Sequence, residues 1–306
     1  MISMDFYLQQ MLNALQVGSV YALIALGYTM VYGVLSMFNF AHGDIFMIGS
    51  YIAFFSATWL IGRDYSAPGV VLFIAATLLA MLGAALLAVL IERIAYRPLR
   101  KAPRISMVIT ALGVGLMLEN VSVAVPWIGP QARSLPSLLP TSTFRLSGVS
   151  VSALPVIIFG VSMVTMLLLD TLVQRTRTGI AMRAVSWDCD TARLMGVPVD
   201  RIISLTFAIG AATAAVGGAL YGTAYTIDPY IGIRVGWWAF IAAVVGGIGN
   251  MRGAVLGGYV LGFVEIFTPL VLPASTYRDL VAFSLLLVLL VFRPAGLLGR
   301  AVNQKV

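Results

Sequence analysis

From Gly69 to Ile91 the chain carries no charged residue and no proline. A run of that length matches the ~20 apolar residues a helix needs to cross the hydrocarbon core of a bilayer. It does not alternate apolar with polar residues as a barrel strand would. Eight further stretches share its character: Met11–Leu35, Phe38–Ile61, Ile105–Val125, Ala153–Val173, Ile202–Tyr225, Trp237–Gly247, Ala254–Leu272 and Leu280–Phe292. Only 10% of the 306 residues are charged and 60% are hydrophobic, against about a quarter charged in soluble domains. An ordinary cytosolic enzyme is excluded. Backbone groups in hydrocarbon must pair internally, so the stretches read as helices. The expected fold is a single all-α polytopic membrane domain over residues 1–306, with about nine (8–10) transmembrane helices, some of them broken. Trp237–Gly247 is too short to cross alone, so it is either a half-helix or begins nearer Ile231.

Charge sets the orientation. The segments Glu92–Arg104 and Gln174–Arg201, the turn at Arg252 and the C-terminal end hold fourteen Lys and Arg. The opposite side holds five: Arg63, Arg133, Arg145, Arg234 and Arg278. By the positive-inside rule the richer side is cytoplasmic, which places the N-terminus outside and the C-terminus inside. The net charge of +7 then belongs to cytoplasmic loops and not to a nucleic-acid surface. Met1–Gln10 lacks the basic start of a cleavable signal, so the first stretch is expected to be a retained span. Residues 126–152, rich in Pro and Ser, form the longest outer loop. Trp59, Trp127 and the Trp237–Trp238 pair are expected as interface anchors.

Catalytic and metal chemistry find little support. A P-loop needs GxxxxGK[ST], and neither Lys101 nor Lys305 sits in that frame. His42 is the only histidine and Cys189 the only cysteine, which excludes a two-histidine zinc motif, a CxxC site and an internal disulfide. Polar residues within the apolar runs are the candidates for a translocation path, because such groups usually face a cavity or each other. They are Asn39, His42 and Asp44 in the break NFAHGD, with Glu119, Asn120 and Glu265. Asn39 and Asp44 have a second expected role, capping the helix that follows. Gly218–Gly222, Gly253–Gly257 and Gly258–Gly262 are small-xxx-small pairs that let helices approach closely. Asn39–Tyr51 and Gly249–Tyr259 suggest a weak repeat in which a polar break precedes a glycine-bearing helix start.

The segment Gln174–Arg201 is too long for a turn. Thr178–Met195 reads as a cytoplasmic helix, with Thr178 as N-cap, Gly196 as its stop and Asp200 capping the next span. Ile180, Ala184, Trp187, Thr191 and Leu194 fall on one semi-apolar face. Ala181, Ala184 and Ala192 are small enough to favour insertion into a protein groove over lipid.

Over nearly its whole length, and in order, the chain resembles the permeases of branched-chain amino-acid ABC transporters, of the LivH type. The resemblance is carried by Gly18–Tyr51 (GSVYALIALGYTMVYGVLSMFNFAHGDIFMIGSY), ERIAYRPLR at Glu92–Arg100, the Gly179–Arg201 loop, GGIGNMRGAVLGG at Gly246–Gly258 and RPAGLLG at Arg293–Gly299. It implies a permease without catalytic residues in the bacterial inner membrane, paired with a second, related permease. It also implies two cytoplasmic ATPase subunits that bind the ATP, and a periplasmic substrate-binding protein; the chain itself needs no cofactor and no metal. Within residues 174–201 it makes Gly179, Ala181, Ala184, Asp188, Ala192, Leu194 and Gly196 the element that couples to an ATPase groove. Related systems move urea, short-chain amides or other amino acids. An ion-coupled carrier is the rival reading, with only Asp44, Glu119 and Glu265 to supply an ion site; an intramembrane enzyme lacks a catalytic constellation.

Overall fold

The apolar runs leave the backbone no partner but itself, and they coil accordingly. The computed structural model describes residues 4–35, 37–63, 67–100, 102–140, 142–146, 149–272, 274 and 276–299. Its helices are α1 (Met4–Leu35), α2 (His42–Gly62), α3 (Gly69–Ile91), α4 (Arg104–Ala124), α5 (Ala153–Arg175), α6 (Arg177–Trp187), α7 (Cys189–Leu194), α8 (Val199–Ala224), α9 (Ile231–Gly246), α10 (Met251–Val271) and α11 (Tyr277–Phe292). Each of the nine apolar stretches coincides with one helix, and the chain is a multi-pass helical membrane protein. Seven helices among the described residues, α1 to α5, α8 and α10, are long and apolar enough to cross. The α9 helix does begin at Ile231. With 16 residues it spans about 24 Å, short of the ~30 Å core.

The centre of the bundle is α1, in which every residue from Gln16 to Val31 is buried. It packs against α5, α8, α9 and α10, while α8 packs against α2 and α3. Small residues set these distances. Gly49 of α2 meets Ala215 of α8, and Gly27 of α1 meets Gly210. The glycine pairs of α10 divide by face: Gly253 and Gly257 lie on α9, Gly258 and Gly262 on α1.

Several local expectations are corrected. No side chain caps α2, whose N-cap is Ala41, because Asn39 and Asp44 are engaged elsewhere. The expected helix Thr178–Met195 is two helices, broken at Asp188 (φ −157°, ψ 111°). Its N-cap is Thr176, whose Oγ1 accepts from Gly179 N at 3.1 Å; Thr178 lies inside α6. Asp200 does not cap α8, since ion pairs with Arg97 and Arg100 occupy its carboxylate. The two breaks of the suggested repeat are built differently. The break before α2 reaches Gly27 of α1 through His42, beside Gly210 of α8. The break before α10 is an Asn250 cap at the bundle end, held to Leu298 O at 2.6 Å.

The segment between α4 and α5 contains a two-stranded antiparallel hairpin, β1 (Thr143–Leu146) and β2 (Val149–Ser152), with Thr143 opposite Ser152. The loop is also tied to the end of α8, through Arg133 N to Ile227 O at 2.8 Å and Leu135 N to Gly222 O at 3.1 Å. Of the expected anchors, Trp59 and Trp127 are exposed. Trp237 is exposed as well, with one side of its ring against Phe40, whereas Trp238 is half-buried and stacks on Tyr21.

Candidate translocation face and coupling element

The chain between α1 and α2 folds back into the bundle under a cover of aromatic rings. Phe38 and Phe40 meet Phe240 of α9 at 5.1 and 5.5 Å between centroids. Asn39 Oδ1 accepts the hydroxyl of Tyr96 at 2.7 Å, which ties the break to the end of α3. The His42 ring lies 4.9 Å from that of Tyr28 and occupies the space a side chain on Gly27 would need. Asp44 is 6% exposed. Its carboxylate is wedged between Gly115 of α4 and Gly232 of α9, and a Cβ at either glycine would displace it. Glu119, equally buried, lines the same cavity of about 200 Å³, with Tyr28, Phe40 and Trp237 on its walls. Of the six polar candidates, the structure thus brings Asp44 and Glu119 together. Asn39 and His42 fix the break beside them. Asn120 is exposed on α4 and donates back to Leu116 O at 2.7 Å. Glu265 lies in a different cavity, where it accepts from the Tyr21 hydroxyl.

The wedge yields a prediction. Leucine at position 44 must place a branched carbon where two backbones leave room for a planar carboxylate. Overpacking of this kind costs about 1–3 kcal/mol. Asp44→Leu will lower the yield of assembled protein and its transport, whereas Asp44→Asn keeps the shape and the assembly. Gel-filtration yield and uptake in proteoliposomes measure both; normal values for the leucine variant refute the wedge.

Sequence reasoning missed the most buried charge. Glu92, fully buried, opens a single π-turn (Glu92–Tyr96) that extends α3 and is followed by a 3₁₀ turn over Arg97–Leu99. Its Oε2 accepts from Ser204 Oγ at 2.6 Å, and its Oε1 pairs with Arg100. Arg100 also meets Asp200 Oδ1 at 2.6 Å, and Arg97 completes the network. The only signal in the sequence was an acid followed by two arginines at the end of an apolar run.

The network borders the α6–α7 pair, and the space between them is lined by Arg97, Arg100, Asp188, Cys189 and Asp200. The α6 helix seats on the end of α5, where Gly179 approaches the Leu172 and Val173 carbonyls too closely for any side chain. Met182, Val185 and Ala192 are buried, and Ala181 and Ala184 are half-buried against the core. The small residues expected to enter a partner's groove therefore turn toward this chain's own bundle. The break at Asp188 divides the five residues of the expected face between two helices, Ile180, Ala184 and Trp187 on α6 and Thr191 and Leu194 on α7. Three large apolar side chains are left to solvent among polar ones: Trp187 is 91% exposed, Leu194 87% and Met195 79%, with Asp190 and Arg193 exposed beside them. Gly196, with φ +81°, ends the element.

Asp188 holds the two helices at their angle. Its Oδ1 accepts from the amides of Asp190 (2.9 Å) and Thr191 (3.1 Å), and its Oδ2 accepts from Thr191 Oγ1 (2.6 Å). The Thr191 hydroxyl and these amides pull its carboxyl below the usual aspartate range. A lowered value stabilises the cap fully above about pH 4, and that contribution is lost as pH falls through the lowered value. Asp188→Ala will speed tryptic cleavage at Arg193 at neutral pH, while Asp188→Asn, which still accepts, will not. Equal cleavage of the three proteins refutes the role.

The family described as the permease component of branched-chain amino acid transport systems matches residues 10–290. A high-affinity branched-chain amino acid transport permease of Pseudomonas aeruginosa, BraD, is 44% identical over 98% of both chains. LivH of Escherichia coli, of the same description, is 42% identical over 98% of both. A LivH relative in Methanocaldococcus jannaschii is 28% identical over 90% of this chain and 88% of its own. Among solved structures, one assigned to a metal-chelate type ABC transporter in an inward-facing conformation covers 93% of this chain and 85% of its own. Its TM-score is 0.50 and its identity 16%, a likeness of fold.

Proposed function

Because the chain belongs to the family of branched-chain amino acid transport permeases, we propose that it is the membrane-spanning subunit of a binding-protein-dependent importer of leucine, isoleucine and valine. Separate cytoplasmic ATPase subunits power it, with ATP bound only there. It pairs with a second permease, and a periplasmic binding protein delivers the substrate. The protein sits in the bacterial inner membrane with its N-terminus outside and its C-terminus in the cytoplasm. The observation that carries this reading is 44% identity to BraD across 98% of both chains. The absence of a P-loop fits the division of labour.

In this reading α6 and α7, within the loop 174–201, engage the ATPases through Trp187, Leu194 and Met195. Exposed apolar side chains on an otherwise charged loop suit a partner surface. Asp188 and Gly196 hold the element in shape, and Gly179 and the alanines seat it on the bundle. Closure of the ATPases would push the pair against the Glu92 network and rock the bundle between inward- and outward-facing states.

Reconstitution in proteoliposomes tests the reading. ATP and loaded binding protein are expected to drive concentrative leucine uptake by the full complex, with none by this chain alone. Concentrative uptake by the chain alone overturns it in favour of an ion-coupled carrier, and uptake of urea but no branched-chain amino acid overturns the substrate. Trp187→Ala is expected to lower ATPase stimulation by loaded binding protein at least about tenfold, as loss of a buried aromatic anchor does. The amount of membrane-inserted protein stays unchanged. Full stimulation in that variant moves the docking site to another loop, residues 92–104 first.

A further inference from the structure

The cavity that holds Glu265 carries a ligand chemistry of its own. It measures about 470 Å³, within the ~300–1,000 Å³ range of small-molecule sites. It lies at the end of the bundle opposite α6 and α7, between the outer parts of α1, α8, α9, α10 and α11. Its walls divide into three kinds. Val17, Val20 and Val235 give an apolar side, continued by Trp238, which stacks on Tyr21 at 5.8 Å between centroids. Glu265 gives an anionic point, with the hydroxyls of Tyr21 and Tyr225 beside it. Arg278, from the first turn of α11, gives a cationic point.

The remaining charges are accounted for. Arg234 is bound to Asp228 at 2.6 Å and so is already neutralised. Asp279 also lines the cavity, but it is exposed on α11. Arg278 has no ion pair among the described residues, and its Nε is buried without a hydrogen-bond partner. A buried guanidinium nitrogen without a partner is costly, and a ligand carboxylate would supply the missing acceptor with the fork geometry that arginine favours.

We propose that this cavity is a binding site in the permease itself for a zwitterionic α-amino acid with an aliphatic side chain. The α-ammonium is held by Glu265, the α-carboxylate by Arg278, and the side chain by the valines and Trp238. The inference rests on the importer reading and adds to it: selection does not end at the binding protein, because the permease checks both charged ends at its outer mouth. A site built to pair a charged group rejects the analogue that lacks it, since the buried partner is then left alone.

The test uses this chain in nanodiscs, with the subunits that co-purify and without binding protein. Labelled leucine is displaced by leucine, by 4-methylpentanoate (no ammonium) and by 3-methylbutylamine (no carboxylate). The wild type is expected to prefer leucine about tenfold or more over each analogue. Glu265→Gln should erase the preference over 4-methylpentanoate and keep the other. Arg278→Gln should do the converse, and Arg278→Lys should keep both. Tyr21→Phe separates a ligand role from a packing one. If Glu265 serves only to hold Tyr21, that variant behaves as Glu265→Gln does, and the proposal falls. It also falls if the wild type binds no leucine, or if Glu265→Gln and Arg278→Gln leave both preferences intact. ATP-driven leucine uptake by the wild-type complex, measured in parallel, distinguishes the two readings: its presence alongside unchanged preferences sinks the site alone, whereas its absence sinks the importer assignment.

Discussion

Gly258→Ile will leave almost no folded protein to recover from the membrane. A Cβ at Gly258 lies 2.6 Å from both the Cα and the amide nitrogen of Ala22, and one at Gly262 lies 2.5 Å from the Cα of Gly18. The obstacle in each case is the backbone of α1, the central helix, which cannot turn aside as a side chain can. Ordinary overpacking costs about 1–3 kcal/mol because neighbours adjust. Here the adjustment is separation of α1 from α10 along much of their contact, which exposes the small residues that drive helix association in lipid. Gly113→Ala is the control, since nothing lies within 4 Å of its Cβ position. That variant should match the wild type or exceed it slightly, alanine being about 1 kcal/mol the better helix former. Yield after detergent extraction and gel filtration measures both. Wild-type recovery of Gly258→Ile would mean that α1 and α10 do not meet as described.

That contact was half legible in the sequence. The Gly258–Gly262 spacing announced a close approach, but spacing names no partner, and only the fold shows that Gly253 and Gly257 serve α9 while the next pair serves α1. The nine apolar runs were legible for the same reason. Hydrocarbon leaves a chain one way to pair its backbone, so composition and length suffice. Caps failed where tertiary partners displaced local ones. Asp200 reads as an N-cap from its neighbours, yet two arginines a hundred residues earlier hold its carboxylate. Trp187 and Leu194 read as one face of a continuous helix, because no periodicity argument foresees the break that Asp188 makes by capping a second one. The wedge at Asp44 lay further out of reach. The residue itself stood out as a charge in an apolar run, but Gly115 and Gly232, which shape its socket, are two glycines among 30.

Glu92→Ala is expected to be the most damaging change to a polar group in the chain. Glu92 is fully buried and Arg100 half-buried, with 18% of its side chain exposed. Removing one partner of a buried pair strands the other, at about 3–5 kcal/mol, and Ser204 loses its acceptor as well. The damage has a direction. The π-turn that begins at Glu92 carries Tyr96 to Asn39, so the same segment holds the end of α3 against α8 and the break before α2 against both. Loosening it frees the surface on which α6 and α7 rest, and transport should fail along with stability. The variants form a series that tests the argument. Glu92→Gln keeps the volume and an acceptor for Ser204 but loses the charge, and is expected to fall between the alanine variant and wild type. Asp200→Asn removes a carboxylate that is 45% exposed, where water screens the pair and the effect is about 0–1 kcal/mol. Thermal unfolding of the purified protein should rank Glu92→Ala least stable, then Glu92→Gln, then Asp200→Asn, with uptake following the same order. Asp200→Asn proving worse than Glu92→Ala would place the structural weight of the network at its exposed end, contrary to its burial.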